Sequence, residues 1–250
     1  MKSIHKFVFN LLRIALIFSV LLFGCASRHI GGGFPVVINQ APPANAPAGS
    51  PDVTPAKLIT AFYQGRAGNC AAIAVIKTAM AVFGTTGVYK DDPADPSKKH
   101  LHNGKDVILT SGDLDKLGQL DKFVPGTDNA IYQQAKVLYA IIVIQKFDGG
   151  HGGYGSLEAA AEALNGGEGQ TAKNIIPLLG LTATAPDIDI DKIAKEEHLI
   201  VTSYYHAAFS SLGYYDEYGS KTLVSDFKEN HRGFWHSSDL SEAYSIDANH

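Results

Sequence analysis

The chain has 250 residues, 45% of them apolar and 18% charged, enough for the core of one folded domain. Its 25 acids outnumber its 21 lysines and arginines, for a net charge of −4, and no basic stripe occurs. That balance argues against nucleic acid as a partner. Only two cysteines are present, Cys25 and Cys70, which excludes a disulfide-stapled scaffold.

Residues 1–24 read as a targeting segment. Lys2, Lys6 and Arg13 form its positive flank, and Ile14 to Phe23 is an apolar core of signal-peptide length, too short to span a bilayer. The run Leu22-Phe23-Gly24-Cys25 resembles a bacterial lipobox, which implies cleavage before Cys25 and lipid attachment to it. The competing reading is an uncleaved anchor with an incidental cysteine. Ala26 after the lipidated residue, rather than Asp, favours the outer membrane of the cell envelope. Loss of the three cations would take the mature chain from −4 to −7. Residues 25–55 then hold six of the eleven prolines among Ala, Gly, Asn and Ser, a composition that cannot bury a core and reads as a tether. The folded domain is expected over residues 56–250.

Asn69 to Phe83 reads as a helix, with Asn69 as N-cap and Gly84 at its end, apolar enough to be buried on most sides apart from Lys77 and Thr78. Residues 84–105 read as loop, "DVILT" as a short strand, and "SGDLDKLGQLDKF" as a helix capped by Ser111. The stretch "DNAIYQQAKVLYAIIVIQKF" has helical length and period, though its β-branched end is ambiguous, and the glycines of "DGGHGGYG" break it. Short helices are expected in "SLEAAAEALNGG" and "TAKNIIPLLG". After about residue 198, β-branched and aromatic residues with Gly at turns predict two or three antiparallel strands. Helices first and sheet last is an α+β order.

With Cys25 lipidated, Cys70 is the remaining thiol of an exported domain. It is either a reactive group or a small buried hydrophobe. Its position one residue past an N-cap favours reactivity, because unsatisfied N–H groups and the macrodipole at a helix start stabilise a thiolate. Gly65 and Gly68 would allow a tight turn before it. Gln64 offers a side-chain amide to a developing oxyanion, with the Cys70 N–H as a second donor. The motif Gln64-Gly65-x-x-Gly68-Asn69-Cys70 resembles the nucleophile motif of the papain-like cysteine proteases, and of their calpain-type members most closely. The resemblance implies a papain-like fold, a central buried helix starting at the cysteine, and a histidine on a later strand oriented by Asn or Asp. An aromatic residue usually follows the cysteine in that family; Ala71 stands here.

His206 is the expected base. It follows "VTSYY" in an expected strand, precedes Ala207 and Ala208 in likeness to the family's His-Ala pair, and lies 136 residues after Cys70. That separation falls within the roughly 130–150 typical of such enzymes. The bland alternative is a core histidine. Asn230 in "KENHRGFW" is the expected orienter, in a stretch that resembles the calpain-type Asn-Pro-Trp-Gly with Trp235 as a shield. Asp216 is its rival and would lean toward transglutaminase-like chemistry; its bland reading is a hairpin turn.

His100-x-His102 lacks further spaced ligands for a metal, and Asp187-x-Asp189-x-Asp191 lacks the Gly and Glu of a calcium loop. Residues 149–155 lack the strand, helix and lysine context of a phosphate loop. No metal or cofactor is therefore expected. The expected function is a membrane-anchored cysteine endopeptidase using Cys70, His206, Asn230 and Gln64 on a peptide or protein substrate. The alternatives are a catalytically silent papain-like binding module and a transglutaminase- or amidase-type acyl transferase at the cell envelope.

Overall fold

A computed structural model describes residues 53–149, 153–167, 171–185, 193–203, 206–224 and 240–248. Cys25, Asn230, Trp235 and the Asp187–Asp191 run lie outside them. Val53 is already buried. Helix α1 (Pro55–Ala61) follows, opened by Thr54, whose hydroxyl accepts from the Lys57 N–H, and it leads straight into strand β1 (Phe62–Gln64).

Helix α2 (Cys70–Phe83) is the expected one, closed at Gly84 with φ 78°. Every residue from Ala71 to Ala81 is buried, Lys77 and Thr78 included. Residues 84–105, expected as loop, instead hold strands β2 (Tyr89–Asp91) and β3 (Lys98–Leu101), which join β4 (Asp106–Ile108) in an antiparallel sheet. Helix α3 (Ser111–Leu117) is capped by Thr110 rather than Ser111. The Thr110 hydroxyl accepts from the Asp113 N–H while the Asp113 carboxylate accepts from the Thr110 N–H, a closed capping box.

Strand β5 (Phe123–Pro125) pairs with β1. Helix α4 (Asn129–Asp148) runs through its β-branched end without a break, capped by Asp128. Then come α5 (Leu157–Gly166), α6 (Ala172–Ile175) and a 3-10 turn (Ile176–Leu179).

Among the described residues the C-terminal part forms one antiparallel sheet of six strands: β6 (Ala183–Thr184), β7 (Leu199–Ser203), β8 (Ala207–Ser211), β9 (Tyr214–Glu217), β10 (Ser220–Leu223) and β11 (Leu240–Ile246). Their order is β10-β9-β8-β7-β11-β6. The chain is thus α+β with antiparallel sheets. Period-two alternation divides the sheet's faces. Ile200, Ala207, Phe209 and Tyr244 join the main core with α1, α2 and α4, while Leu199, Val201, Ala208, Tyr215 and Ala243 form a second, smaller cluster. Helix α2 packs against β8, β7 and β11, and its many alanines permit that close approach. Among the described residues no helix is long and apolar enough to cross a membrane.

Candidate active site

Cys70 is the first residue of α2 and is partly exposed. The turn before it is held from both sides. Gln64 is fixed in β1 opposite Phe123 of β5. The Gly68 N–H donates to the Asn165 carbonyl at 2.6 Å. Neither Gly65 nor Gly68 has a positive φ; what each position needs is room. A Cβ on Gly65 would stand 3.1 Å from the Lys122 carbonyl oxygen, and one on Gly68 would stand 3.2 Å from the Gly166 backbone. The tight turn expected of these glycines is therefore a close approach of backbones.

Asn69 precedes the helix as expected, but its side chain makes no capping bond. It is 1% exposed, and its Nδ2 donates to the Asp121 carbonyl at 2.8 Å and to Asn165 Oδ1 at 3.1 Å. It clamps the turn to the 120–121 and 165–167 segments. Asn69 therefore does not cap α2 with its side chain, and the helix start favours negative charge on the Cys70 sulfur.

Gln64, Cys70 and His206 line a single crevice, together with Asp216, Tyr218 and the small side chains Ala74, Ala207 and Ala208. The crevice is about 10 Å³, room for about one water. Gln64 is buried, and its Nε2 donates to the Ala67 carbonyl across the nucleophile turn. His206 is not inside a strand, as the sequence suggested, but immediately before β8; its carbonyl accepts from the Ser203 N–H at 2.7 Å and closes the β7–β8 connection. The residue as a whole is partly buried, while its ring Nδ1 is fully enclosed. That enclosure favours the neutral imidazole and lowers its pKa from the ordinary 6.5 to about 4. The neutral ring is the form that can accept the Cys70 proton, with thiolate and imidazolium forming together. The Tyr218 ring lies against it, with centroids 5.2 Å apart and planes inclined by 31°.

Asp216 serves the β9–β10 hairpin turn, as its sequence context suggested, through its Oδ1, which accepts the Gly219 N–H at 2.7 Å, but it does more than that. It lies within β9 on the face turned to the helix, since its neighbour Tyr215 points to the opposite cluster. There it meets Lys77 at 2.6 Å, both side chains being essentially buried. Lys77 Nζ also donates to the Ile59 carbonyl at 2.9 Å and sits 4.8 Å from the Phe62 ring centroid. Burial pushes the Lys77 ammonium down and the Asp216 carboxyl up, against the mutual attraction of the pair. No local pattern announces this pair, because its partners are 139 residues apart.

The two histidines of the His100-x-His102 pair are engaged within the three-stranded region. His100 Nδ1 lies 2.7 Å from Asp106 and Nε2 lies 3.1 Å from Asp92, while His102 Nε2 meets the Gly87 carbonyl at 2.9 Å. A larger cavity of about 690 Å³ opens between the 3-10 turn, β6 and β11, lined by Ile176, Pro177, Leu181 and Tyr244 among others. No thiol or imidazole of the described residues lines it.

No family model matches this chain, and neither characterised proteins nor solved structures give a match.

Proposed function

We propose that the chain is a thiol hydrolase of papain-like, calpain-type architecture, a cysteine endopeptidase held at the cell envelope by lipid on Cys25. In this reading the Cys70 sulfur attacks the carbonyl carbon of a peptide bond, and its proton passes to His206. His206 then protonates the leaving amine, and water returns the acyl-enzyme to thiol and carboxylate with His206 again as the base. Gln64 keeps one amide hydrogen on the Ala67 carbonyl, which fixes the side chain, and would offer the other to the oxyanion. Asn230 would orient His206.

The supporting observation is convergence. A glutamine from β1, a thiol at the start of a buried helix and a histidine 136 residues further on line one crevice with a helix terminus behind the sulfur. The test is incubation of the full chain with a complex peptide mixture, reading new termini by mass spectrometry. Wild type should generate new peptide termini, and Cys70→Ala and His206→Ala should generate none. Wild type that cuts nothing, or Cys70→Ala that cuts as well, overturns the proposal.

A second reading draws on the narrowness of the crevice and on Ala71 in the place of the family's aromatic residue. It is a silent descendant of such an enzyme that binds peptide without turnover. Peptide retention unchanged in Cys70→Ser, with no cleavage, would decide for it.

A further inference from the structure

The ion pair that reaches the crevice through Asp216 has no step assigned to it in that chemistry, yet a short path connects it to the base. Lys77 follows Cys70 by seven residues on the same side of α2, two turns further into the core. Its Nζ holds Asp216 Oδ2 at 2.6 Å, and the other carboxylate oxygen, Oδ1, accepts the Gly219 N–H at 2.7 Å. Gly219 and Tyr218 make the turn between β9 and β10 with φ 86° and 52°. A left-handed conformation is unfavourable for a tyrosine and persists only where its surroundings hold it. Gly219 is itself hemmed in, since a Cβ there would stand 2.6 Å from Tyr63 Cδ1. The held residue is the one whose ring lies on His206.

A buried pair of charges is seldom the most stable filling for a core, and apolar residues of similar volume often serve as well or better. What a carboxylate supplies here is direction: one oxygen bound to a fixed ammonium and the other to one N–H in the turn. Both Asp216 oxygens are thereby engaged. We propose that Lys77 and Asp216 are positioning residues that fix the Tyr218–Gly219 turn, so that the Tyr218 ring holds the His206 imidazole in the crevice it shares with Cys70. The inference rests on the reading of Cys70 and His206 as nucleophile and base.

The test uses the full chain in detergent with Cys25→Ser, which leaves Cys70 as its one thiol. The rate of alkylation by iodoacetamide is followed against pH, with thermal melting as a control for folding. The variants are His206→Ala, Tyr218→Ala, Tyr218→Phe, and Lys77→Met combined with Asp216→Asn. Tyr218→Ala and the double variant should slow alkylation at neutral pH about tenfold or more, the scale on which small misplacements act. Their profiles should move toward the roughly 8.5 of a free cysteine, as in His206→Ala, while Tyr218→Phe keeps the wild-type profile. A change of fold stability alone would not produce that pattern. If the double variant does not fold, Tyr218→Ala decides, because Tyr218 is only partly buried and lies outside the ion pair. Wild-type profiles in Tyr218→Ala and the double variant, beside an altered His206→Ala, overturn the positioning role alone. A wild-type profile in His206→Ala overturns the nucleophile reading, and this inference with it.

Discussion

Replacing Lys77 by methionine tests the buried pair most sharply. Lys77 is 0% exposed and Asp216 6%, so solvent does little to screen the loss. The variant leaves a buried carboxylate with, among the described residues, only the Gly219 N–H bonded to it, and it removes the donor to the Ile59 carbonyl. Breaking one side of a buried ion pair costs about 3–5 kcal/mol. In a domain near 200 residues each kcal/mol moves the melting temperature by about 2–4 °C, so a fall of roughly 6–20 °C is expected. Adding Asp216→Asn removes the stranded charge and should recover most of the loss, to within about 2 kcal/mol of wild type. The pH dependence has a definite sign. Without Lys77 the Asp216 carboxyl rises further, and a raised carboxyl destabilises only above its unfolded value of about 3.9. The deficit of Lys77→Met should therefore shrink as pH falls toward 4. The assay is thermal and urea unfolding at neutral and mildly acid pH. A loss below about 1 kcal/mol, or a double variant no more stable than the single one, would refute the reasoning.

Burial keeps His206 near 4 in the folded chain, while the unfolded chain takes up its proton near 6.5, so the stability this neutral ring confers is complete above 6.5 and lost as pH falls toward about 4. At 1.36 kcal/mol per pH unit the whole shift is worth about 3 kcal/mol, and screening at this partly buried residue reduces that to about 1–2. Denaturant midpoints of wild type and His206→Gln should therefore diverge with pH across this window; a constant difference contradicts the assignment. Gln64→Ala should lower turnover by about 10²–10³-fold, the usual cost of one oxyanion donor, and kinetics at wild-type level would remove Gln64 from the site. Asn69→Ala deletes two buried donated bonds and should cost about 1–3 kcal/mol in urea unfolding.

The elements legible in the sequence are those in which local chemistry and burial agree. Helix α2 combines a polar start, an apolar body and a terminal glycine, and α4 is long enough for its Asp128 cap and helical period to override the β-branched residues at its end. Strands β2 and β3 were hidden because "YKD" and "KKHL" are polar. Each strand of their sheet buries a single apolar residue, Tyr89, Leu101 or Val107, too few to show a hydrophobic period, and the cross-strand Lys98–Asp106 pair is partly exposed. The cap of α3 moved by one residue because only Thr110 has Asp113 at the spacing that closes a capping box.

At the site, the helix start placed Cys70 and the sheet-forming texture placed His206 next to a strand, so both were readable from local pattern. The burial that lowers His206 was not, since it arises from packing around Nδ1. Lys77 looked like a polar interruption of an apolar helix, and Asp216 like a turn residue only, which is half of what it does. Each makes sense only once the fold has brought it to the other. Asn230 and Cys25 remain expectations from sequence.

The central claim is that Cys70 is a nucleophile served by His206. Its most direct test is the rate of Cys70 alkylation against pH in the Cys25→Ser chain, with and without His206→Ala. An activated thiol should react well below the roughly 8.5 of a free cysteine, and loss of His206 should slow it and return the profile toward that value. A slow thiol with an ordinary profile that ignores His206 would make Cys70 a packing residue and contradict the account.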